Sequence, residues 1–473
     1  MITHVNSYKR KYRNLVIVLC LLISINGFCQ KADSSGSKPN IVLIYVDDMG
    51  FGDVGYNGAN DVLTPNIDAL ANRGVIFNQG YVSASVCAPS RAGLLTGIYQ
   101  QKFGLGENCS ASGWPNSAIS QGSGIPDRQI ILPEILKDHG YHTGMVGKWH
   151  LGIAETKRPN AKGFDYFYGF LNGSHSYYKS DLVFGSKKGH WPVFENNKMV
   201  PFEGYLTDVF TEKATEFIQQ SHDEPFFLYV AYNAVHHPWE VPDEYLERLS
   251  HIKLENRRKF AGMVLALDDG VGRIVETLKD KGISDNTVII FISDNGSPSG
   301  QAKGGAEGDF MSSTGGLRGW KGDTYEGGIR VPFVINWPGV LLSGQKYPHP
   351  VSNLDILPTI TSYLNIQLKY QVDGVNLLPY VQSNIDDVPH DVLYWRRDDD
   401  YAIRKGNWKL CWNDRGATTK GSAELYNLEE DPFEEVNLVT EFPELARELQ
   451  VCFDMWDSKL PDSKWWGAPI NRK

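Results

Sequence analysis

The sequence predicts an α/β fold, with a large mixed sheet sandwiched by helices and then a small antiparallel sheet with a packed helix. Three observations carry this. Continuous apolar, β-branched runs at residues 40–45, 226–231, 287–293 and 331–336 read as strands buried on both faces, because covered strands lose the polar alternation of half-exposed ones. Helix-period patterns at 131–138, 211–220 and 259–281 are interleaved with them, the order expected of a largely parallel sheet covered by helices. Beyond a change of composition over 379–389, short runs at 392–395, 401–404, 408–412 and 424–428 are separated by turns and followed by a helical stretch at 443–459.

Elements preceding the first strand have a different character. Lys9, Arg10, Lys11 and Arg13 lead into an apolar run at 15–25 that ends at Asn26-Gly27-Phe28-Cys29, the layout of a secretory signal. The run is shorter than the roughly 20 residues a membrane-spanning helix needs, so no stable membrane insertion is expected. The predicted organisation is a signal peptide at 1–29, cleaved near Cys29, a linker at 30–38, a catalytic domain at 39–380 and a C-terminal subdomain at 390–473, placing the mature protein in the periplasm or outside the cell. At 473 residues the chain exceeds one ordinary core. A net charge of −10 argues against a nucleic-acid partner, whose phosphates reward a basic face. Four cysteines remain after the signal: Cys87, Cys109, Cys411 and Cys452. They are too few for a disulfide framework in an exported chain of this size, although Cys411 and Cys452 could pair, leaving Cys109 free.

The strand at 40–45 delivers Asp47-Asp48 to its C-terminal end, and the strand at 287–293 delivers Asp294-Asn295-Gly296. Ligands of open α/β sheets sit at that edge. Either group alone is most often a turn. Together they offer oxygen donors that suit a hard cation, Ca²⁺ with about 6 to 8 ligands better than the tighter octahedron of Mg²⁺. Cys87 stands beside Pro89 and the fixed cation of Arg91. Lys148 and His150, two residues apart, are expected on one side of an extended segment, pairing a fixed positive charge with a group that carries protons near neutral pH.

The run Cys87-Ala88-Pro89-Ser90-Arg91-Ala92-Gly93-Leu94-Leu95-Thr96-Gly97 resembles C-x-P-S-R-x-x-L-x-T-G, the modification signature of the formylglycine-dependent (type I) sulfatases. In that family a formylglycine-generating or radical sulfatase-maturating enzyme oxidises the cysteine to 3-oxoalanine. Gly144-Met145-Val146-Gly147-Lys148-Trp149-His150 is similar to the second signature, Asn233-Ala234-Val235-His236-His237-Pro238 to the block that supplies a further histidine, and Leu317-Arg318-Gly319-Trp320-Lys321-Gly322 to the block that supplies a second lysine. The resemblance runs from Pro39 to about Leu438. It implies an alkaline-phosphatase-like fold, one Ca²⁺ held by Asp47, Asp48, residue 87, Asp294 and Asn295, and sulfuric ester hydrolysis. Arg91, Lys148 and Lys321 would surround the sulfate, the hydrated aldehyde at 87 would attack sulfur, with Asp294 a possible proton acceptor, and His236 with Lys321 would protonate the leaving alcohol. His150 would take the proton that lets the second hydroxyl expel sulfate.

The expected substrate is a sulfated algal oligosaccharide or polysaccharide of ulvan or carrageenan type. Host glycosaminoglycans are the alternative, followed by a phosphonate monoester or phosphodiester on the same fold and by an inactive sugar-binding relative. His175, Arg318, Trp320 and Arg396 are the substrate-binding candidates. Trp114, Trp191, Trp239, Trp395, Tyr177 and Tyr178 could stack on sugars, and Arg397 could meet a carboxylate or second sulfate.

Overall fold

The apolar run after Pro39 forms β1 (Asn40–Val46), whose side chains alternate between two cores. Ile41, Leu43 and Tyr45 enter one; Val42, Ile44 and Val46 enter the other. Each fully buried side chain of this size contributes about 1.5–3 kcal/mol, so a one-residue slip would expose or misplace every one of them. The computed structural model describes residues 38–109, 121–183, 191–221, 224–298, 311–385, 387–413, 422–461 and the backbone of 464–465 and 468–469. The signal peptide and, apart from Lys38, the linker lie outside the described residues.

Following β1 are β2 (Val75–Phe77), β3 (Gly80–Tyr81), β4 (His142–Lys148), β5 (Tyr166–Phe170), β6 (Val193–Glu195) and β7 (Lys198–Val200). Next come β8 (Phe226–Ala231), β9 (Thr287–Ser293), β10 (Phe333–Asn336), β11 (Gln345–Tyr347) and β12 (Val351–Ser352). Ten of these make one mixed sheet in the order β11-β2-β10-β9-β1-β8-β4-β5-β6-β7, while β3 pairs with β12. The centre, β9-β1-β8-β4-β5, is parallel. The run expected at 331–336 starts as a strand only at Phe333, and it lies antiparallel to both β9 and β2.

Helices Leu206–Gln220 and Glu255–Asp280 cover one face through Phe210, Ile218, Phe260, Val264 and Val271. Helices Cys87–Thr96, Leu132–Asp138 and Ile356–Tyr363 cover the other. The helix expected at 211–220 begins a turn earlier, at Leu206. Its first turn holds Thr207 and Asp208, which suit a helix start, where a carboxylate complements the positive end of the dipole.

The C-terminal sheet is antiparallel in the order β13 (Val392–Arg397), β14 (Asp400–Lys405), β15 (Trp408–Trp412), β16 (Glu424–Asn427). Helix Pro443–Asp457 packs Ala446, Leu449 and Phe453 on Ile403, Leu410 and Leu425. From the opposite face Trp395, Ala402, Cys411 and Tyr426 enter the core shared with the large sheet. The described residues from Pro39 onward group as one compact unit, in which this face of the small sheet shares a core with the large one. The same geometry overturns the Cys411–Cys452 pairing. Cys411 faces the shared core and Cys452 packs on the helix side, and both are free, as are Cys87 and Cys109. Among the described residues no helix is long and apolar enough to cross a membrane.

Candidate active site

The parallel strands β1, β8, β9 and β4 end together, and charged residues stand at or just beyond the ends of three of them. Asp47 and Asp48 follow β1, Asp294 and Asn295 follow β9, and Lys148 closes β4. Backbone hydrogen bonds stitch these ends into one platform: Asp294 N–H donates to Val46 O at 2.8 Å, Val235 N–H to Asp47 O at 2.7 Å, and Asp47 N–H to Ala234 O at 3.0 Å. Cys87 opens the helix Cys87–Thr96, with Pro89 in its first turn and Gly97 closing it in the left-handed conformation. Pro89 is tolerated in a helical first turn because its missing N–H has no partner to lose there. One helical turn then places Arg91 on the same face as Cys87.

Side chains from these elements converge. Cys87 Sγ lies 3.4 Å from Asp47 Oδ1 and 3.1 Å from Lys321 Nζ. Lys148 Nζ donates to Asp47 Oδ2 at 2.6 Å, and Lys321 Nζ to Asp48 Oδ1. Arg91 donates through Nε and Nη2 to Asp294 Oδ2, at 3.0 and 2.7 Å, and through Nη1 to the carbonyl of Lys148 at 3.0 Å. His236 Nε2 stands 3.7 Å from Asp48 Oδ2. Lys321 is held by its own backbone, whose N–H donates to Ser297 O at 2.6 Å, while Gly322 N–H donates to Ser85 O just ahead of Cys87.

His150 corrects one expectation. It does not continue an extended segment, because β4 ends at Lys148 and His150 adopts a left-handed backbone with φ 59°. Asp48 does the same, with φ 65°. Non-glycine residues in this region are uncommon and cluster where a site dictates the direction of a side chain. A Cβ on Gly173 would sit 2.6 Å from the His150 ring, so this close approach requires glycine.

Electrostatically the cluster sets three carboxylates, Asp47, Asp48 and Asp294, against three fixed cations, Arg91, Lys148 and Lys321, nearly all removed from solvent. Burial raises a carboxyl pKa, but Lys321, His236 and Lys148 outweigh it at Asp48 and hold that group well below its usual range. Burial and Asp47 push Asp294 up to about 6 against the pull of Arg91. Burial, helped by Asp47, pushes the Cys87 thiol up to about 12, so the unmodified side chain is a protonated thiol and a poor nucleophile. Burial and Lys148 hold His150 well below the usual imidazole range, and burial and Lys321 do so for His236.

Two buried polar atoms bear on whether these residues fit a cation. Asn295 donates through Nδ2 to Asp48 Oδ1 at 2.8 Å, yet among the described residues its Oδ1 has no hydrogen-bond partner, and His150 Nδ1 has none either. An orphaned amide oxygen beside two carboxylates is the donor chemistry of a hard-cation site. Asp47, Asp48, Cys87 and His236 each present a ligand atom within 4.8 Å of the others. Asp294 joins the group through Oδ1, which accepts from Asp48 N–H at 3.2 Å.

Several substrate-binding candidates are engaged inside the fold. His175 is fully buried, with its ring nitrogens on the carbonyls of Ser176 and Trp191 at 2.6 and 2.7 Å. Arg396 pairs with Asp457 and Arg397 with Glu107. Arg318 lies on the Tyr325 ring and donates to Tyr426 and to the carbonyl of Glu434. Trp395 is buried with Nε1 on Val82 O, and Tyr177 is buried too. Trp320 is half-buried and lines a cavity of about 500 Å³ with Asn60, Asp61 and Thr314. Tyr178 is 44% exposed. Trp114 lies outside the described residues.

With this geometry in hand, the sulfatase family model matches residues 39–366, and an N-sulphoglucosamine sulphohydrolase C-terminal model matches 318–454. The chain belongs to the sulfatase family. This sulfatase is similar to N-acetylgalactosamine-6-sulfatase of Mus musculus, at 33% identity over 82% of this chain and 75% of that one. It is also similar to arylsulfatase J of Mus musculus, at 32% over 87% and 75%. Among solved structures it resembles Ps i-CgsB in complex with k-i-k-neocarrahexaose, with a TM-score of 0.82 and 33% identity over 92% of this chain and 96% of that chain. The sulfatase hydrolyses sulfate esters.

Proposed function

We propose that this sulfatase is exported, that Cys87 is converted to formylglycine by a maturating enzyme, and that its substrate is a sulfated galactan of carrageenan type. The observation that carries the catalytic reading is the position of Cys87 Sγ, between Asp47 Oδ1 and Lys321 Nζ in a buried cluster with Arg91 and Lys148. The substrate reading is supported by the likeness, over nearly the whole of both chains, to a protein solved with a neocarrahexaose.

Asp47, Asp48, Asp294 and Asn295, with residue 87, are the groups that would hold a Ca²⁺ ion, and the orphaned Asn295 Oδ1 fits that role. When bound, the ion would acidify a hydroxyl at residue 87 and neutralise a sulfate oxygen. A formylglycine supplies, as its hydrate, one hydroxyl to attack sulfur and a second whose proton, once removed, lets sulfate depart.

The chain's own residues do the rest. Arg91, Lys148 and Lys321 present fixed positive charge where the sulfate oxygens gather charge, in a site from which water is excluded. His236 donates a proton to the departing sugar oxygen. Its imidazole is neutral in the free protein because burial and Lys321 disfavour the cation, and the anionic ester supplies the counter-charge that restores it. His150, also held neutral, is ready to accept the second hydroxyl's proton. Sulfate release from carrageenan, ulvan and glycosaminoglycan oligosaccharides, followed by ion chromatography, tests the reading. Release from carrageenan fragments in preference to the others is expected; preference for a glycosaminoglycan disaccharide would move the assignment to that class.

A further inference from the structure

The segment that carries His236 leaves β8 and turns back within a few residues, so something must fix its path. On one side the backbone of Asp47 does, through the hydrogen bonds to Ala234 and Val235. On the other side stands the loop at Ser176 and Tyr177. Tyr177 is completely buried and its ring stacks on Tyr205 at 5.3 Å and 22°. Its hydroxyl lies 2.7 Å from the carbonyl oxygen of Asn233 and 2.9 Å from that of His236, and so shares one proton between them. The far end of the segment is tied as well. Glu240 Oε2 accepts from Tyr177 N–H at 2.7 Å and from Ser176 Oγ at 2.9 Å. His236 thus sits between two fastenings to the same dipeptide.

Within that frame the imidazole has a defined orientation. Nδ1 bonds to the carbonyl of His237 at 2.8 Å, which places a proton on Nδ1 and turns Nε2 toward Asp48. We propose that Tyr177 is a positioning residue, whose hydroxyl, by gripping the carbonyls of Asn233 and His236, sets Nε2 of His236 against the leaving oxygen of the substrate. This rests on the reading of His236 as proton donor. As the S–O bond to the sugar breaks, its electron pair goes to the sugar oxygen, which takes the Nε2 proton; the ring returns to neutral and keeps its Nδ1 proton on His237. Burial raises the pKa of the Tyr177 hydroxyl well above its ordinary value, so it stays a donor throughout the working range.

The consequence is specific to leaving groups. A sugar alkoxide needs the proton, whereas 4-nitrophenolate leaves without it. A small displacement of a reacting group costs up to about 100-fold, so Tyr177→Phe should lower the kcat ratio of a sulfated carrageenan disaccharide to 4-nitrophenyl sulfate about tenfold. His236→Ala should lower the same ratio further, and adding Tyr177→Phe to it should change the ratio no more. Glu240→Gln, which loosens the other fastening, should move the ratio the same way by about threefold, and it serves as the test should Tyr177→Phe fold poorly by circular dichroism. Equal losses on both substrates, an additive double variant, or an unchanged ratio in both single variants would overturn the role of Tyr177. An unchanged ratio in His236→Ala would instead remove His236 as the donor, and the positioning role with it.

Discussion

Two of the buried charge clusters among the described residues differ in what is left over. At the strand ends, Asp47, Asp48 and Asp294 meet Arg91, Lys148 and Lys321, and the cluster retains an unpartnered Asn295 Oδ1 and His150 Nδ1. Between the main sheet and the C-terminal sheet, Lys409 Nζ sits 2.9 Å from Glu326 and 2.8 Å from Glu434, Tyr81 donates to Glu326 at 2.7 Å, and Arg404 contacts Tyr81. There the protein's own groups meet one another across the contact of two sheets. Burial of charge is common to both clusters and does not by itself mark a reaction centre. What separates them is the pair of polar atoms left without an ionic or hydrogen-bond partner at the strand ends; left-handed backbone does not, because Glu434 adopts it as Asp48 and His150 do, and Glu434 Oε1 is met by Lys409 at 2.8 Å.

The largest test of that contrast is Cys87→Ala. Sulfate release should fall by about 10⁴-fold or more, with thermal stability close to that of the parent. Lys409→Met should do the reverse. Removing one partner from a buried ionic group costs about 3–5 kcal/mol because the remaining charges stay buried, and urea unfolding should show that loss while kcat of the folded fraction holds. A variant at Lys409 that kept its stability and lost kcat would break the distinction between the clusters.

The sequence exposed one cluster far better than the other for a physical reason. The proposed catalytic groups stand at strand ends, at a helix start or in short loops, so Asp47, Cys87, Lys148, His236 and Lys321 could be read from their local context. Lys409 is an alternate residue of a short strand, Glu434 follows a turn, and nothing local tells either from a solvated charge. The same limit misled the reading of His175, Arg396 and Tyr177 as sugar contacts, since their partners Trp191, Asp457 and Asn233 are distant in sequence. The parallel centre of the large sheet and the four C-terminal strands were legible because each is a continuous apolar or alternating run. The short strands β2, β6, β7 and β11, at and next to the two edges of the sheet, were not, each having three residues and a pairing that only the tertiary fold supplies.

A smaller effect is expected at Asn295. Its free Oδ1 separates the two clusters most directly, and Asn295→Ala removes it while leaving the carboxylates in place. The calcium concentration for half-maximal binding, read by calorimetry and independently by calcium-dependent thermal shift, should rise by about 10- to 100-fold, the range seen when a group tuning a metal site is lost. An unchanged calcium affinity would mean that the orphaned oxygen belongs to the packing and not to a cation.

The smallest expected effect probes a third buried pair, in which His390 Nε2 lies 2.9 Å from both carboxylate oxygens of Asp355. Asp355 also accepts from the N–H groups of Ser352 and Val375, so this ion pair fastens the entry to the C-terminal sheet onto the helix Ile356–Tyr363. Burial works to lower the His390 pKa, but the charge and hydrogen bonding of Asp355 outweigh it and raise the value above that of a free imidazole. A raised folded-state pKa means the folded protein holds the proton more tightly than the unfolded chain. The stabilisation is therefore complete below the unfolded histidine pKa of about 6.5 and is lost as the pH climbs through the folded value. Urea midpoints measured from pH 5.5 upward should fall more steeply with pH for the parent than for His390→Asn, and the two curves should draw together at alkaline pH. Parallel curves would show that His390 carries no charge in the fold, and that of the three buried groupings only the two lysine-centred clusters hold their ions.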